Sequence, residues 1–148
     1  MSDPAALSHC ATAHVMAEAD AAFRFMADPI ALGGWSLGCM RTRPDGDDGL
    51  HTGESLFDGG RGWFRIQADP ERLTVDYGLG TPQALAWRIA AQVVRPERCA
   101  LPAGTCYVSL IAWRPAGMAD ERWRRLCSAH ETEILLIKAQ IESGYRPD

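Results

Sequence analysis

Asp120-Glu-Arg-Trp123-Arg-Arg-Leu-Cys127-Ser-Ala-His130-Glu-Thr-Glu-Ile134-Leu-Leu-Ile137-Lys-Ala-Gln-Ile141-Glu-Ser143 carries one sustained period from end to end. Trp123, Cys127, His130, Ile134, Ile137 and Ile141 recur at helical spacing, while Arg124, Arg125, Glu131, Lys138 and Glu142 fall mostly off that stripe. The pattern predicts a long amphipathic helix that ends at Gly144.

Working back from that helix, the punctuation changes at Pro115-Ala-Gly117. Between Ser36 and Pro115, turn signals recur at Pro44-Asp-Gly-Asp-Asp-Gly49, Asp58-Gly-Gly60, Asp69-Pro-Glu71, Gly78 to Pro82 and Pro96 to Gly104. Six strands fit between them, near 36–43, 50–57, 62–68, 72–79, 84–95 and 104–114. Short connections favour antiparallel neighbours. Further upstream, residues 7–16 read as a first strand. Asp20 is the expected N-cap of a short helix running to Asp28, and Pro29 opens a second one that Gly33-Gly34 ends before Trp35. The expected organisation is one domain over residues 7–144, with residues 1–6 and 145–148 as flexible ends.

The chain has 148 residues, 47% hydrophobic and 23% charged, enough to bury a core without metal or disulfide staples. A net charge of -4 argues against nucleic acid as a partner. Five cysteines, Cys10, Cys39, Cys99, Cys106 and Cys127, are scattered with no CxxC pair, which fits a reducing compartment and gives no zinc signature. No apolar run approaches the roughly 20 residues that span a bilayer, and nothing near Met1 has the makeup of a secretory signal. The expected location is cytoplasmic.

Ala19-Asp20-Ala-Ala-Phe23-Arg-Phe25-Met-Ala-Asp28-Pro29 followed by Trp35, the tight turn Asp69-Pro70-Glu71-Arg72, and the closing helix together resemble the START and birch-pollen-allergen superfamily, with its polyketide cyclase or dehydrase-like bacterial members. The resemblance covers nearly the whole chain. It implies an α+β helix-grip fold, in which a curved seven-stranded antiparallel sheet, two short helices and a long C-terminal helix enclose a cavity for a small hydrophobic ligand of lipid, polyketide or aromatic type. A strongly bent sheet cannot fill all the space against one helix, and apolar pockets are where small molecules bind.

Strand alternation assigns the cavity wall, because successive side chains point to opposite faces. In Leu73-Thr-Val-Asp-Tyr77 the polar residues send Leu73, Val75 and Tyr77 inward. In residues 85–93, Arg88 and Gln92 mark the outside, so Leu85, Trp87, Ile89, Ala91 and Val93 face in. Arg65 and Gln67 place Phe64 and Ile66 inside, and Ser109 favours Val108, Leu110 and Ala112. The expected ligand-binding set is Phe64, Tyr77, Trp87, Leu110, His130 and Ile134. The same parity leaves Trp63, Tyr107, Ile111 and Trp113 on the convex face, where an apolar group of that size fits a homodimer contact.

Catalytic equipment is sparse. His130 shares the inward stripe and is the leading candidate for proton transfer, but it lacks the second histidine of HExxH. His9, His14 and His51 have no metal-ligand spacing, and capping or turn chemistry accounts for Asp20, Asp28, Asp45, Asp47 and Asp48. Cys127 lies one turn from His130, although a buried cysteine commonly packs as a small hydrophobe. There is no GxSxG and no dinucleotide fingerprint, so no cofactor is expected. Ligand binding leads. A cyclase or aromatase using the same cavity, with His130 or Tyr77 as acid or base, and a protein-interaction module on the convex face are the alternatives.

Overall fold

A computed structural model describes residues 6–147. Strand β1 (Ser8–Val15) leads into helices α1 (Ala19–Met26) and α2 (Pro29–Leu32). Six strands follow: β2 (Met40–Pro44), β3 (His51–Glu54), β4 (Arg61–Asp69), β5 (Thr74–Thr81), β6 (Ala84–Val94) and β7 (Cys106–Trp113). Helix α3 (Asp120–Ser143) closes the chain. One antiparallel sheet contains all seven strands in the order β1-β7-β6-β5-β4-β3-β2. Strands β2 to β7 form a meander, and β1 pairs with β7, so the first strand lies beside the last. This is the expected α+β helix-grip arrangement.

Local chemistry sets the helix ends. Asp28 caps α2 by accepting the Ile30 N–H at 2.9 Å, with Pro29 in the first turn where its missing N–H is no loss. Asp20 does not cap α1: Glu18 occupies that position without a side-chain cap bond, and Asp20 sits in the first turn, held by Arg95 at 2.9 Å. A carboxylate there still favours the helix dipole. Helix α3 ends where Gly144 turns left-handed, with φ of 74°.

Residues 36–39 depart from the expected strand and form a turn, with the Cys39 N–H bonded to the Ser36 carbonyl at 3.0 Å. Strand β2 therefore starts at Met40. The larger departure is in β6. Tyr77 pairs with Ile89 and Leu79 with Ala86, so Gly78 faces two residues, Trp87 and Arg88. The extra residue is a β-bulge, which reverses side-chain parity beyond it. Ile89, Ala91 and Val93 face the interior as alternation requires, but Trp87 turns outward and is 41% exposed. Its indole lies across Gly78, where an added Cβ would come within 2.5 Å of the ring.

The core fills the concave side of the sheet. Val15, Phe64, Val75, Tyr77, Val93, Val108 and Leu110 pack with Met26 of α1 and with Ile134 and Ile137 of α3, each burial stabilising by about 1.5–3 kcal/mol. A second cluster joins Ala112 to Trp123 and Cys127. The far half of α3 is also tied by polar bonds: Lys138 Nζ donates to the His14 carbonyl at 2.5 Å, and Gln140 Nε2 donates to the Gly34 carbonyl at 2.8 Å. Residues 145–147, expected as a loose end, turn back, with Arg146 donating to Asp28 at 2.8 Å. Residues 1–5 and 148 of the expected flexible ends lie outside the described residues.

On the convex face Trp113 is 48% exposed, whereas Tyr107, Ile111 and Trp63 are half-buried. Tyr107 meets His14 edge-on at 5.6 Å, and Trp63 Nε1 donates to Asp45 at 2.8 Å. The chain itself covers part of this face.

Candidate functional site

A cavity of about 620 Å³ lies between α3 and the concave face of the sheet. The helix contributes Arg122, Arg125, Leu126, Ala129, His130 and Glu133, a stripe at helical spacing that flanks the packed one. Tyr77 and Leu79 of β5, Ala86, Arg88 and Ile89 of β6, and Leu110 of β7 form the sheet wall. Trp35, Ser36 and Cys39 join from the turn after α2, and Ser55, Phe57 and Asp58 from the loop between β3 and β4. The β6 bulge is what puts Arg88 here, since strict alternation would send it to solvent.

Of the six residues expected to hold a ligand, Tyr77, Leu110 and His130 line this cavity. Phe64 and Ile134 are buried in the packed core beside it and do not reach its wall. Trp87 is on the outer face of the sheet because of the bulge. The Tyr77 hydroxyl donates to the Met26 carbonyl at 2.6 Å, and burial pushes its pKa up. Its ring packs edge-on against Trp35, with centroids 6.1 Å apart. Tyr77 is thus a fixed piece of wall whose proton is engaged.

His130 and Glu133 are the titratable pair that the fold brings together, with Nε2 and Oε1 3.7 Å apart and both side chains almost fully buried. Burial, with the neighbouring His9 and Arg88, lowers the His130 pKa to about 4. Burial raises that of Glu133 to about 8, against the opposing effect of the Leu37 N–H, which its Oε2 accepts at 2.8 Å. At neutral pH the pair is therefore a neutral imidazole beside a mostly protonated carboxyl, and not an ion pair. Leu37 in turn accepts the Leu56 N–H at 2.8 Å, so Glu133 supports the loop that carries Phe57.

Four arginines border the same space: Arg61, Arg88, Arg122 and Arg125. Among the described residues none of them is in an ion pair. The Arg125 guanidinium lies over the Phe57 ring at 4.6 Å, joining helix to loop. Burial first, and Arg122 second, hold the Arg88 pKa below its ordinary value. The wall is accordingly apolar with a cationic sector, more polar than the expected wall of apolar groups with His130 and Tyr77. Cys39 also lines it, and burial pushes its thiol up to about 12, which leaves it unreactive. The remaining histidines do not converge: His9 meets Glu131 at 3.2 Å, His14 meets Thr105 at 2.9 Å, and His51 meets the Gly49 carbonyl.

Sequence reasoning missed Glu133, Arg88 and Arg122. Glu133 and Arg122 do fall at helical spacing with His130 and Arg125, a stripe visible in the sequence. Charged residues flanking an apolar stripe ordinarily face water, and only a cavity under the helix edge turns Glu133 inward and sets Arg122 at its rim.

No protein-family model matches the sequence, and no curated protein does. Solved structures do match. A di-domain ARO/CYC, BexL from the BE-7585A biosynthetic pathway, superposes with a TM-score of 0.66 at 18% identity, over 91% of this chain and 46% of that one. The present chain thus spans about half of that protein. A START superfamily protein from Mycobacterium smegmatis gives 0.66 at 11% identity, covering 93% and 99%. The Aha1 dimer from Colwellia psychrerythraea gives 0.67 at 14%, covering 94% and 98%. The chain has the START-type helix-grip fold.

Proposed function

On this START-type scaffold we propose that the chain binds a small hydrophobic ligand, of lipid, polyketide or aromatic type, inside the cavity under α3. The observation that carries the reading is the cavity itself: about 620 Å³ in an otherwise close-packed interior, within the size range of small-molecule sites. Tyr77 and Leu110 offer apolar contact, and His130 offers orientation. The compartment we read as a reducing cytoplasm, in keeping with five free thiols. Trp113, exposed on the convex face, is the centre of the homodimer contact that we infer together with Trp63, Tyr107 and Ile111. Native mass spectrometry of freshly purified protein reads both: a co-purified apolar molecule and a dimer are expected, and a ligand-free protein that also takes up no lipophilic dye would overturn the binding reading.

His130 beside Glu133 at the cavity wall favours a second reading, a cyclase or aromatase that folds a reactive chain and moves a proton through this pair. Its signature is a turnover loss of roughly 10²-fold on His130→Ala with ligand affinity retained. A pure binding protein shows no turnover to lose.

A further inference from the structure

The polar groups around the cavity are distributed unevenly. Arg61, Arg88, Arg122 and Arg125 border one space in a chain whose net charge is -4. Against them stand Asp58, whose Oδ1 already accepts the Gly60 N–H at 2.8 Å, and Glu133, whose burial keeps it mostly protonated at neutral pH. Arg61 and Arg125 have aromatic partners, with Trp63 at 5.9 Å and Phe57 at 4.6 Å. Arg88 has none of these, and its Nη1 is buried without a hydrogen-bond partner among the described residues. The same is true of two other cavity-lining side chains, Trp35 at Nε1 and His130 at Nδ1.

A guanidinium cannot shed its proton, and an arginine and an indole N–H can only donate. Buried donors without partners are rare in folded proteins and each needs a physical account. Of the six buried polar atoms without a partner among the described residues, three belong to residues lining this one cavity, and a second arginine, Arg122, is close enough to Arg88 to repel it. Arg88 is half-buried and Arg122 stands exposed at the cavity rim, and a like charge so near a partly desolvated one is unfavourable unless an opposite charge joins them.

From this geometry we infer that the cavity takes an amphipathic anion: an apolar body lying against Tyr77, Leu79, Ile89 and Leu110, with one oxyanion head group held by Arg88 and Arg122. The inference rests on the ligand-binding reading above and narrows it to one chemical class. Planar oxyanions such as carboxylates match the fork of arginine donors. The head group balances two charges without an ion-pair partner among the described residues, and the apolar body fills space that the sheet and helix leave open.

The test compares two fluorescent probes that share an apolar skeleton, anilinonaphthalene sulfonate, an anion, and N-phenylnaphthylamine, which is neutral. Both are titrated into the full chain and into the double variant Arg88→Gln, Arg122→Gln. The wild type is expected to bind the anion at least about tenfold more tightly, the size of effect expected for a hydrogen bond to a charged group. The double variant is expected to lose that preference while keeping its affinity for the neutral probe, which also shows that it is folded. Equal affinities in the wild type, or a preference that survives in the double variant, overturn the inference and leave the cavity reading standing. Failure of both probes to bind the wild type overturns the cavity reading itself, and this inference with it.

Discussion

The two halves of α3 lie under the same sheet and do opposite things. From Ile134 onward the helix is sealed: Ile134 and Ile137 are packed into the main core, while Lys138 and Gln140 bond to carbonyls of β1 and of the turn after α2. From Arg122 to Glu133 one edge is packed through Trp123 and Cys127 against Ala112, and the other edge faces open volume. The sealed half holds the helix in place, which lets the open half keep buried polar groups that a close-packed core would exclude. Stability and the cavity are thus divided along one helix, and not traded against each other at each position.

The sharpest way to break this contrast is truncation on either side of it. Ile137→Ala removes fully buried methyl groups from the sealed half and is expected to cost about 2–5 kcal/mol in chemical denaturation. Leu126→Ala, on the cavity edge, opens onto space that is already empty and is expected to cost well under half of that. Equal costs would mean that the two halves are packed alike.

A smaller effect comes from the pH dependence of the open half. Glu133 is raised from 4.5 to about 8 by folding, so its contribution to stability is present at low pH and is lost as pH rises through that range. His130 is lowered from 6.5 to about 4, so its contribution is present above 6.5 and is lost as pH falls. Between about 4.5 and 6.5 the folded pair holds one proton, on Glu133, and the unfolded pair also holds one, on His130, so the two slopes cancel. Above 6.5 only Glu133 still titrates between the two states, and stability is expected to fall by about 2 kcal/mol up to pH 8. In Glu133→Gln that decline disappears and the slope left from this pair is the loss below pH 6.5 from His130. Denaturant midpoints measured across pH 4 to 9 distinguish these shapes, and an unchanged profile in the variant would show that Glu133 ionises freely in the folded chain.

Much of the architecture is determined locally and so was legible in the residues alone. The apolar stripe of α3, Pro29 after a capping Asp28 and Gly144 at the helix end each depend on near neighbours and are where the sequence places them. The turn signals give the number and order of the meander strands, although β3 ends at Glu54 and β5 runs on through Gly78 and Gly80 to Thr81. Inward parity in β5 and β7 follows from the same local alternation, which is why Tyr77 and Leu110 could be assigned to the interior. Tertiary structure alone decided the rest. The bulge opposite Gly78 depends on how β5 and β6 pair, and it sends Trp87 out and brings Arg88 in. Glu133 is buried at a cavity wall, and Arg122 stands at its rim, only because the sheet curves away from that edge of α3 and leaves a cavity there. Periodicity records which side of an element is apolar, but whether a polar side chain meets water outside or a cavity within depends on the distance between elements far apart in the chain.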